Sequence, residues 1–447
     1  MDYAASVRYL LSLGRELAAP TQAAAAKFDL ENIGVLAEHL GRPDRAYPSA
    51  HIAGTNGKGS TAAFLEAILR RAGLRTGLYT SPHLERINER IRIAGEEISD
   101  EAFAAIFTRL HTLIEELLAA GKLRAHPTYF ECLTAMAMEA FAREHVEFSI
   151  FEVGLGGRLD ATNILSPAVT LLTRIDFDHE NFLGHSLAEI AGEKAGILKP
   201  GAPVVMAPQP AEAREVILRR AAELGCPVVE TARAFHVEQE AFEYGCVRAR
   251  VTETASGWRF ELAPRLPGRF QLENALSAVA AARLLQARGF RIPDEAIAAG
   301  IAAAAWPGRL ERLQSRPDVF LDGAHNPGAA RELAVFWEQN FAGRRIWLIY
   351  GTLRDKAVDE IAGVLFPRAA QVFLTEPRTI RALSARRLAE LTAHHAARCT
   401  AVPDAEEAVE RALSAAAPED AIFITGSLYL VGQVRQFWKS RASAPVL

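Results

Sequence analysis

The run Gly54-Thr55-Asn56-Gly57-Lys58-Gly59-Ser60-Thr61 has the residue types that hold a phosphate chain. Glycines let backbone N–H groups converge on an anion, a helix behind them adds its positive end, and a lysine reaches the outer phosphates. The run departs from G-x-x-x-x-G-K-[ST]: Ile52 stands at the first glycine position, and Gly59 follows Lys58 directly, displacing the hydroxyl to Ser60. Glycines alone could serve a tight strand-to-helix turn. The apolar strand before them and the amphipathic helix after them favour the anion cradle.

A nucleotide-bound Mg²⁺ wants hard oxygens, and Ser60, Ser81 and Glu152 can supply them from strand ends. Glu152 closes an apolar strand and opens a Gly-rich loop, where a carboxylate projects over the sheet edge or simply bonds the turn. His179, in Asp176-Phe177-Asp178-His179, follows another strand; a lone histidine is more often structural. Lys194 reads as a solvated helix cation, and Arg158 and Asp160 as surface ions. Thr128, Tyr129 and Phe130 form an aromatic cluster that suits either a core or a flat ring ligand.

These residues need a scaffold. Ser49–Ala53, Thr76–Thr80, Phe148–Val153, Ala168–Thr173 and Val204–Ala207 read as buried strands alternating with helices, the rhythm of a mostly parallel sheet. Between Phe235 and Leu262, β-rich segments around Ala255-Ser256-Gly257 suggest a small hairpin insertion, followed by a helix from Glu273 to Arg288. After Pro307-Gly308 the alternation resumes with Val319–Leu321, Arg345–Tyr350, Gln371–Thr375 and Ala421–Thr425. The expectation is therefore an α/β chain. Residues 1–301 form a phosphate-loop mononucleotide-binding domain with a mostly parallel sheet and a small β insertion, and 302–447 a smaller Rossmann-like domain.

A chain of 447 residues, half of them hydrophobic, suits two domains, and a net charge of -4 offers no global attraction to nucleic acid or anionic lipid. Met1 to Leu17 carries Asp2, Arg8, Arg15 and Glu16, unlike a signal peptide, and the Ala-rich stretches are broken by charges well short of a membrane span. Cys132, Cys226, Cys246 and Cys399 are isolated, as packed thiols of a reducing cytoplasm would be.

The string GTNGKGST is similar to the loop of the Mur ligase superfamily, and GTNGKGS resembles its folylpolyglutamate and dihydrofolate synthase branch, of the bacterial bifunctional type. The likeness continues in order through TSPHL at Thr80, FEVGLGGRLDATN at Phe151, DHENFLG at Asp178 and GEKAGILKPG at Gly192. It then passes through LPGRFQLENA, WPGRLE, DGAHNP and TGSLYLVG. The resemblance implies ATP contacts at Gly54, Asn56, Gly57, Lys58, Gly59, Ser60, Thr61, Asn274, Arg309 and Asp322. It implies two Mg²⁺ ions held by Ser60, Ser81, Glu152, His179 and a carbamylated Lys194, with Lys58, Lys194 and His179 serving the chemistry. A pterin-bearing substrate would lie against Asp29, Thr128, Tyr129, Phe130, Arg158, Leu159 and Asp160, and the incoming glutamate near His325 and Ser427.

The reaction so implied is ATP-dependent addition of L-glutamate to dihydropteroate or a reduced folate through an acyl phosphate. It would be carried out by a cytoplasmic monomer that uses neither nucleic acid nor membrane. A Mur-type ligase acting on a UDP-linked substrate is the nearest rival, and FEVGLGGRLDATN speaks against it. A GTP switch protein is echoed faintly by Thr173-Arg174-Ile175-Asp176. A non-catalytic nucleotide-binding module leaves the second-half strings unexplained.

Overall fold

The computed structural model describes residues 1–13, 29–243 and 245–443. Of the Met1–Leu17 stretch, the first part forms the helix Tyr3–Ser12, and residues 14–17 lie outside the described residues. The first sheet comprises β1 (Ser49–Ala53), β2 (Thr76–Tyr79), β3 (Ile91–Ile93), β4 (Glu96–Glu97), β5 (Phe148–Glu152), β6 (Val169–Leu172), β7 (Val204–Met206) and β8 (Val228–Glu230). Their order is β4-β3-β2-β5-β1-β6-β7-β8, parallel from β2 to β8 with β3 and β4 antiparallel at one edge. β1 and β5 are buried along their whole length, which explains their unbroken apolar character. β1 lies between β5 and β6, so the chain crosses to opposite sides of β1, and the crevice beyond its carboxyl end is where such sheets bind ligands.

The helix Lys58–Arg71 leaves that crevice and is buried from Gly59 to Leu69. It packs against the helices Phe270–Ala287 and Asp294–Ala303. A Cβ on Gly300 would stand 2.5 Å from the Ile68 Cα, so a glycine sets this close crossing.

The expected hairpin is larger than the sequence suggested. β9 (Phe235–Glu243) joins β10 (Cys246–Glu253) and β11 (Arg259–Leu262) in a three-stranded antiparallel sheet. β9 carries Glu238, Glu240 and Glu243 among its apolar residues, which hides its alternation. One face still feeds the core, through Val247, Ala249 and Val251.

The second sheet is β12 (Glu311–Gln314), β13 (Asp318–Leu321), β14 (Ile346–Tyr350), β15 (Gln371–Leu374), β16 (Cys399–Ala401) and β17 (Ala421–Thr425). The order is β12-β13-β17-β14-β15-β16, with only β12 antiparallel. Separate apolar cores line its two faces, one around Trp337 and Phe423 and the other around Ile349 and Ile424. All four cysteines are free thiols, Cys132 and Cys226 buried. Among the described residues no helix is long and apolar enough to cross a membrane.

Candidate active site

The loop after β1 turns through Gly57 at φ +89°, a conformation that favours glycine, and delivers Lys58 as the first helical residue. A Cβ on Gly57 would strike Asn274 Oδ1 at 2.3 Å, and one on Gly59 would strike Trp306 Nε1 at 2.8 Å. The glycine following Lys58, which breaks the common pattern, thus lets Trp306 seat against the helix start. Lys58 Nζ donates to the carbonyl oxygens of Gly54 and Thr55 at 3.0 and 3.1 Å. Burial lowers its pKa, with Glu152 and Asp178 opposing that shift. Ser60 is buried and its hydroxyl accepts from Gln271 Nε2 at 3.3 Å, while Asn274 Nδ2 donates to Gln271 Oε1 at 2.9 Å. Thr61 is buried behind the loop.

Glu152 is buried at the end of β5 and accepts from the Ser81 backbone N–H at 3.2 Å. Burial raises its pKa; Lys58, the Ser81 N–H and Arg309 pull the other way. Lys194, expected from its surroundings in sequence to be solvated, is buried and donates to the Gly54 carbonyl at 2.9 Å. Burial, followed by the neighbouring Lys58, lowers its pKa to about 7.

His179 holds a left-handed backbone (φ +52°) ahead of the short helix Glu180–Leu183, and burial takes its pKa to about 4, so the imidazole is neutral. Its Nε2 lies 3.8 Å from Asp178 and 3.4 Å from Lys356 Nζ. Asp178 is the junction of the two domains. Lys356 donates to it at 2.7 Å, Asn326 at 3.3 Å, and His325 Nε2 stands 3.5 Å away. Burial would raise the Asp178 pKa, but Lys356 and the two histidines hold it well below the usual carboxylate value. Asp178 and Asn326 stand inside strings that sequence reading singled out for their neighbours, and Lys356 lies outside those strings. Their part depends on contacts between segments more than a hundred residues apart.

Asp322 is buried and its carboxylate accepts from the Leu310 and Ala324 N–H groups at 3.0 and 2.9 Å, orienting the turn that carries Arg309. His325 Nδ1 donates to the Gly323 carbonyl at 2.8 Å. Ser427 is buried, its hydroxyl accepting from the Tyr429 N–H at 3.2 Å at the start of the helix Leu428–Ser443. Between the domains lies a cavity of about 340 Å³ whose walls include Gly59, Ser81, Glu152, Trp306, Arg309 and Leu428.

The residues expected at a pterin separate into two groups. Phe130 faces the loop after β5 so closely that a Cβ on Gly154 would lie 2.5 Å from its ring, and Arg158 and Leu159 border the same loop. Arg158 pairs with Glu193 at 2.9 Å. Asp160 is turned inward: it accepts from the Gly154, Leu155 and Thr162 N–H groups at 2.9–3.0 Å, so it shapes the loop. Thr128 caps the helix Tyr129–Arg143, accepting from the Glu131 N–H at 3.2 Å. Tyr129 is buried in the core, with Arg90 over its ring. Asp29 is exposed and accepts from the Glu31 N–H at 2.9 Å.

Family comparison agrees with this geometry. Residues 52–282 match the Mur ligase middle domain, and 308–428 match the Mur ligase glutamate ligase domain. The chain is 37% identical over 404 residues to the dihydrofolate synthase/folylpolyglutamate synthase of Bacillus subtilis, covering 90% of this chain and 93% of that one. The chain belongs to the folylpolyglutamate synthase/dihydrofolate synthase family. A Mycobacterium tuberculosis folylpolyglutamate synthase complexed with ADP superposes with a TM-score of 0.88 at 33% identity, covering 98% of this chain and 99% of that one. Escherichia coli FolC in complex with DHPP and ADP gives 0.86 at 30% identity, with 99% of both chains covered. In this member of the family Lys194 reaches the phosphate loop, Glu152 accepts from Ser81, and Asp178, next to His179, receives Lys356 from the second domain.

Proposed function

We propose that this chain uses ATP to join L-glutamate to a dihydropteroate or reduced folate, by way of an acyl phosphate. The observation that carries the reading is the convergence of Lys58, Lys194 and Glu152 at the phosphate loop, sealed by Asp178 contacts from the other domain. The substrate carboxylate oxygen attacks the γ-phosphorus and ADP leaves. The glutamate amine then attacks the acyl carbon, expelling phosphate and losing a proton as the amide forms.

Lys58 exchanges its carbonyl partners for phosphate oxygens and stabilises the charge spread over them. Arg309, from the second domain, offers a fork to the same oxygens. The donor set suits a divalent cation: the Glu152 carboxylate and the Ser60 and Ser81 hydroxyls at one position, neutral His179 and a carbamylated Lys194 at a second. Mg²⁺ there supplies charge neutralisation on the transferring phosphoryl group. The lowered pKa of Lys194 supports carbamylation, since a neutral amine is the form that takes up CO₂. Closure of the seam excludes water from the acyl phosphate. Phe130, Arg158 and Leu159 form the wall for the pterin, and His325 with Ser427 the wall for glutamate. Both walls lie in one chain, so a cytoplasmic monomer suffices.

The test is phosphate release by purified protein with MgATP and glutamate. Release should require a pteroate or folate, and turnover indifferent to either would overturn the reading. Parallel assays with dihydropteroate and tetrahydrofolate assign the acceptor.

A further inference from the structure

The helix Asp100–Ala119 and the turn after it assemble three side chains that the ligase reading does not use. His111 and Glu115 stand one helical turn apart, with Nδ1 and Oε1 separated by 4.0 Å, and His126 joins them from the turn. One donor atom from each lies within 4.8 Å of the other two.

One imidazole is oriented to offer a lone pair, and the other has an unsatisfied ring nitrogen. His126 Nδ1 lies 2.8 Å from the Pro127 carbonyl oxygen, which can only accept, so the proton of the neutral ring is on Nδ1. Its Nε2 therefore carries the lone pair and accepts from the Tyr9 hydroxyl at 3.1 Å, a hydrogen bond that a bound cation would replace. An imidazole anchored on a backbone carbonyl through its far nitrogen is the orientation metal sites use. His111 is fixed by its rings' neighbours, stacked on Phe107 at 15° with Tyr9 4.6 Å away. Its Nδ1 is buried with no hydrogen-bond partner. Aromatic packing accounts for the ring positions but leaves that nitrogen unsatisfied, whereas a cation satisfies it.

We propose that His111, Glu115 and His126 form a binding site for a Zn²⁺-class cation. Two imidazoles and one carboxylate, with a fourth position for water, are the donor set of tetrahedral zinc, whereas Mg²⁺ and Ca²⁺ require mostly oxygens. Bonds of about 2.0–2.1 Å put tetrahedral donors roughly 3.3 Å apart, so the three must draw in by about 1.5 Å. With the His111 ring held, the movement falls to Glu115, whose side chain is 57% exposed, and to His126, which stands on the irregular segment after the helix. The site would lash the turn that leads to Thr128 onto the preceding helix.

The experiment uses full-length protein stripped of metal with a chelator and titrated with Zn²⁺ by calorimetry and with Co²⁺ by visible absorption. To silence the crevice, the Glu152→Gln/His179→Ala background is titrated in parallel. In that background the expected result is one equivalent of Zn²⁺ and strong tetrahedral Co²⁺ bands, both lost when His111→Ala and His126→Ala are added, while the protein with an intact crevice should lose one equivalent of its total on the same two substitutions. Glu115→Gln, a surface change that cannot unfold the chain, should weaken Zn²⁺ binding at least tenfold. Absence of the equivalent, or its retention in the double histidine variant or undiminished in Glu115→Gln, would overturn the proposal.

Discussion

Asn56 of the phosphate loop and Asn326 of the second domain exchange side-chain amides, each donating to the other's oxygen at 3.2 and 2.9 Å. Asn326 also caps the helix Pro327–Asn340, accepting from the Ala329 N–H at 2.9 Å, and donates to Asp178. One side chain thus links the helix cap, the phosphate loop and the carboxylate at the domain junction. Asn326→Asp separates these roles, because a carboxylate keeps the cap but loses both donations and faces Asp178 with like charge. Turnover should fall by roughly ten- to a hundredfold, the loss expected when charge-assisted contacts at a seam become repulsive, with little change in melting temperature. Equal losses of activity and of melting temperature would show that the cap dominates.

Glu152→Gln retains shape and can still accept from Ser81, but it removes the negative charge beside Lys58. If Glu152 holds the metal, kcat should drop by about a hundredfold or more, and the Mg²⁺ concentration for half-maximal rate should rise. Chelation of Mg²⁺ should abolish turnover in both proteins. A steady-state Mg²⁺ titration that leaves the half-maximal concentration unmoved removes Glu152 from the metal site.

With a pKa of about 7, close to half of Lys194 is neutral at pH 7, against roughly one amine in a few thousand for an ordinary lysine. Protonation opposes carbamate formation, so occupancy should rise as pH increases from 6 to 8. Carbon-13 bicarbonate should give a carbamate resonance at pH 8 that fades towards pH 6 and is missing from Lys194→Ala. A free amine in CO₂-replete solution would refute the modification.

His51 predicts an acid effect on stability unrelated to catalysis. It is fully buried in β1, and burial, with a smaller contribution from Lys199, lowers its pKa to about 3. Its Nε2 lies 2.8 Å from the Thr162 hydroxyl. Below its unfolded pKa of about 6.5 the unfolded chain takes up a proton that the folded chain refuses, so stability falls progressively from pH 6.5 down towards pH 3. Over the full window the effect is at most about 5 kcal/mol. His51→Gln can still donate to Thr162 and should flatten the dependence. Urea unfolding of both proteins between pH 7 and 4.5 measures the difference, and parallel curves would rule His51 out.

Much of this architecture was legible because parallel strands buried on both faces are nearly continuous apolar runs. β1, β5, β6 and β17 are visible in the sequence for that reason. β3 and the edge strands β4, β12 and β16 are short and partly or wholly exposed, so they lack the continuous apolar run that marks a buried strand. Lys58 announced itself through its local pattern. Lys356 did not, because its significance lies in a 2.7 Å contact with Asp178, 178 residues earlier. Asp160 shows the converse error: a carboxylate that looks like a surface ion in sequence is wholly engaged by its own loop.

The Gly54 carbonyl oxygen receives two lysine Nζ groups, Lys58 at 3.0 Å and Lys194 at 2.9 Å. An arriving ligand therefore meets a loop whose phosphate-binding cation, Lys58, is already held by backbone carbonyls, and it must displace those oxygens before it gains anything. A weakly charged anion offers little more than the carbonyl does, whereas a polyphosphate offers several oxygens at once. The loop thereby acts as a charge threshold, favouring a nucleoside triphosphate over the far more abundant simple anions around it.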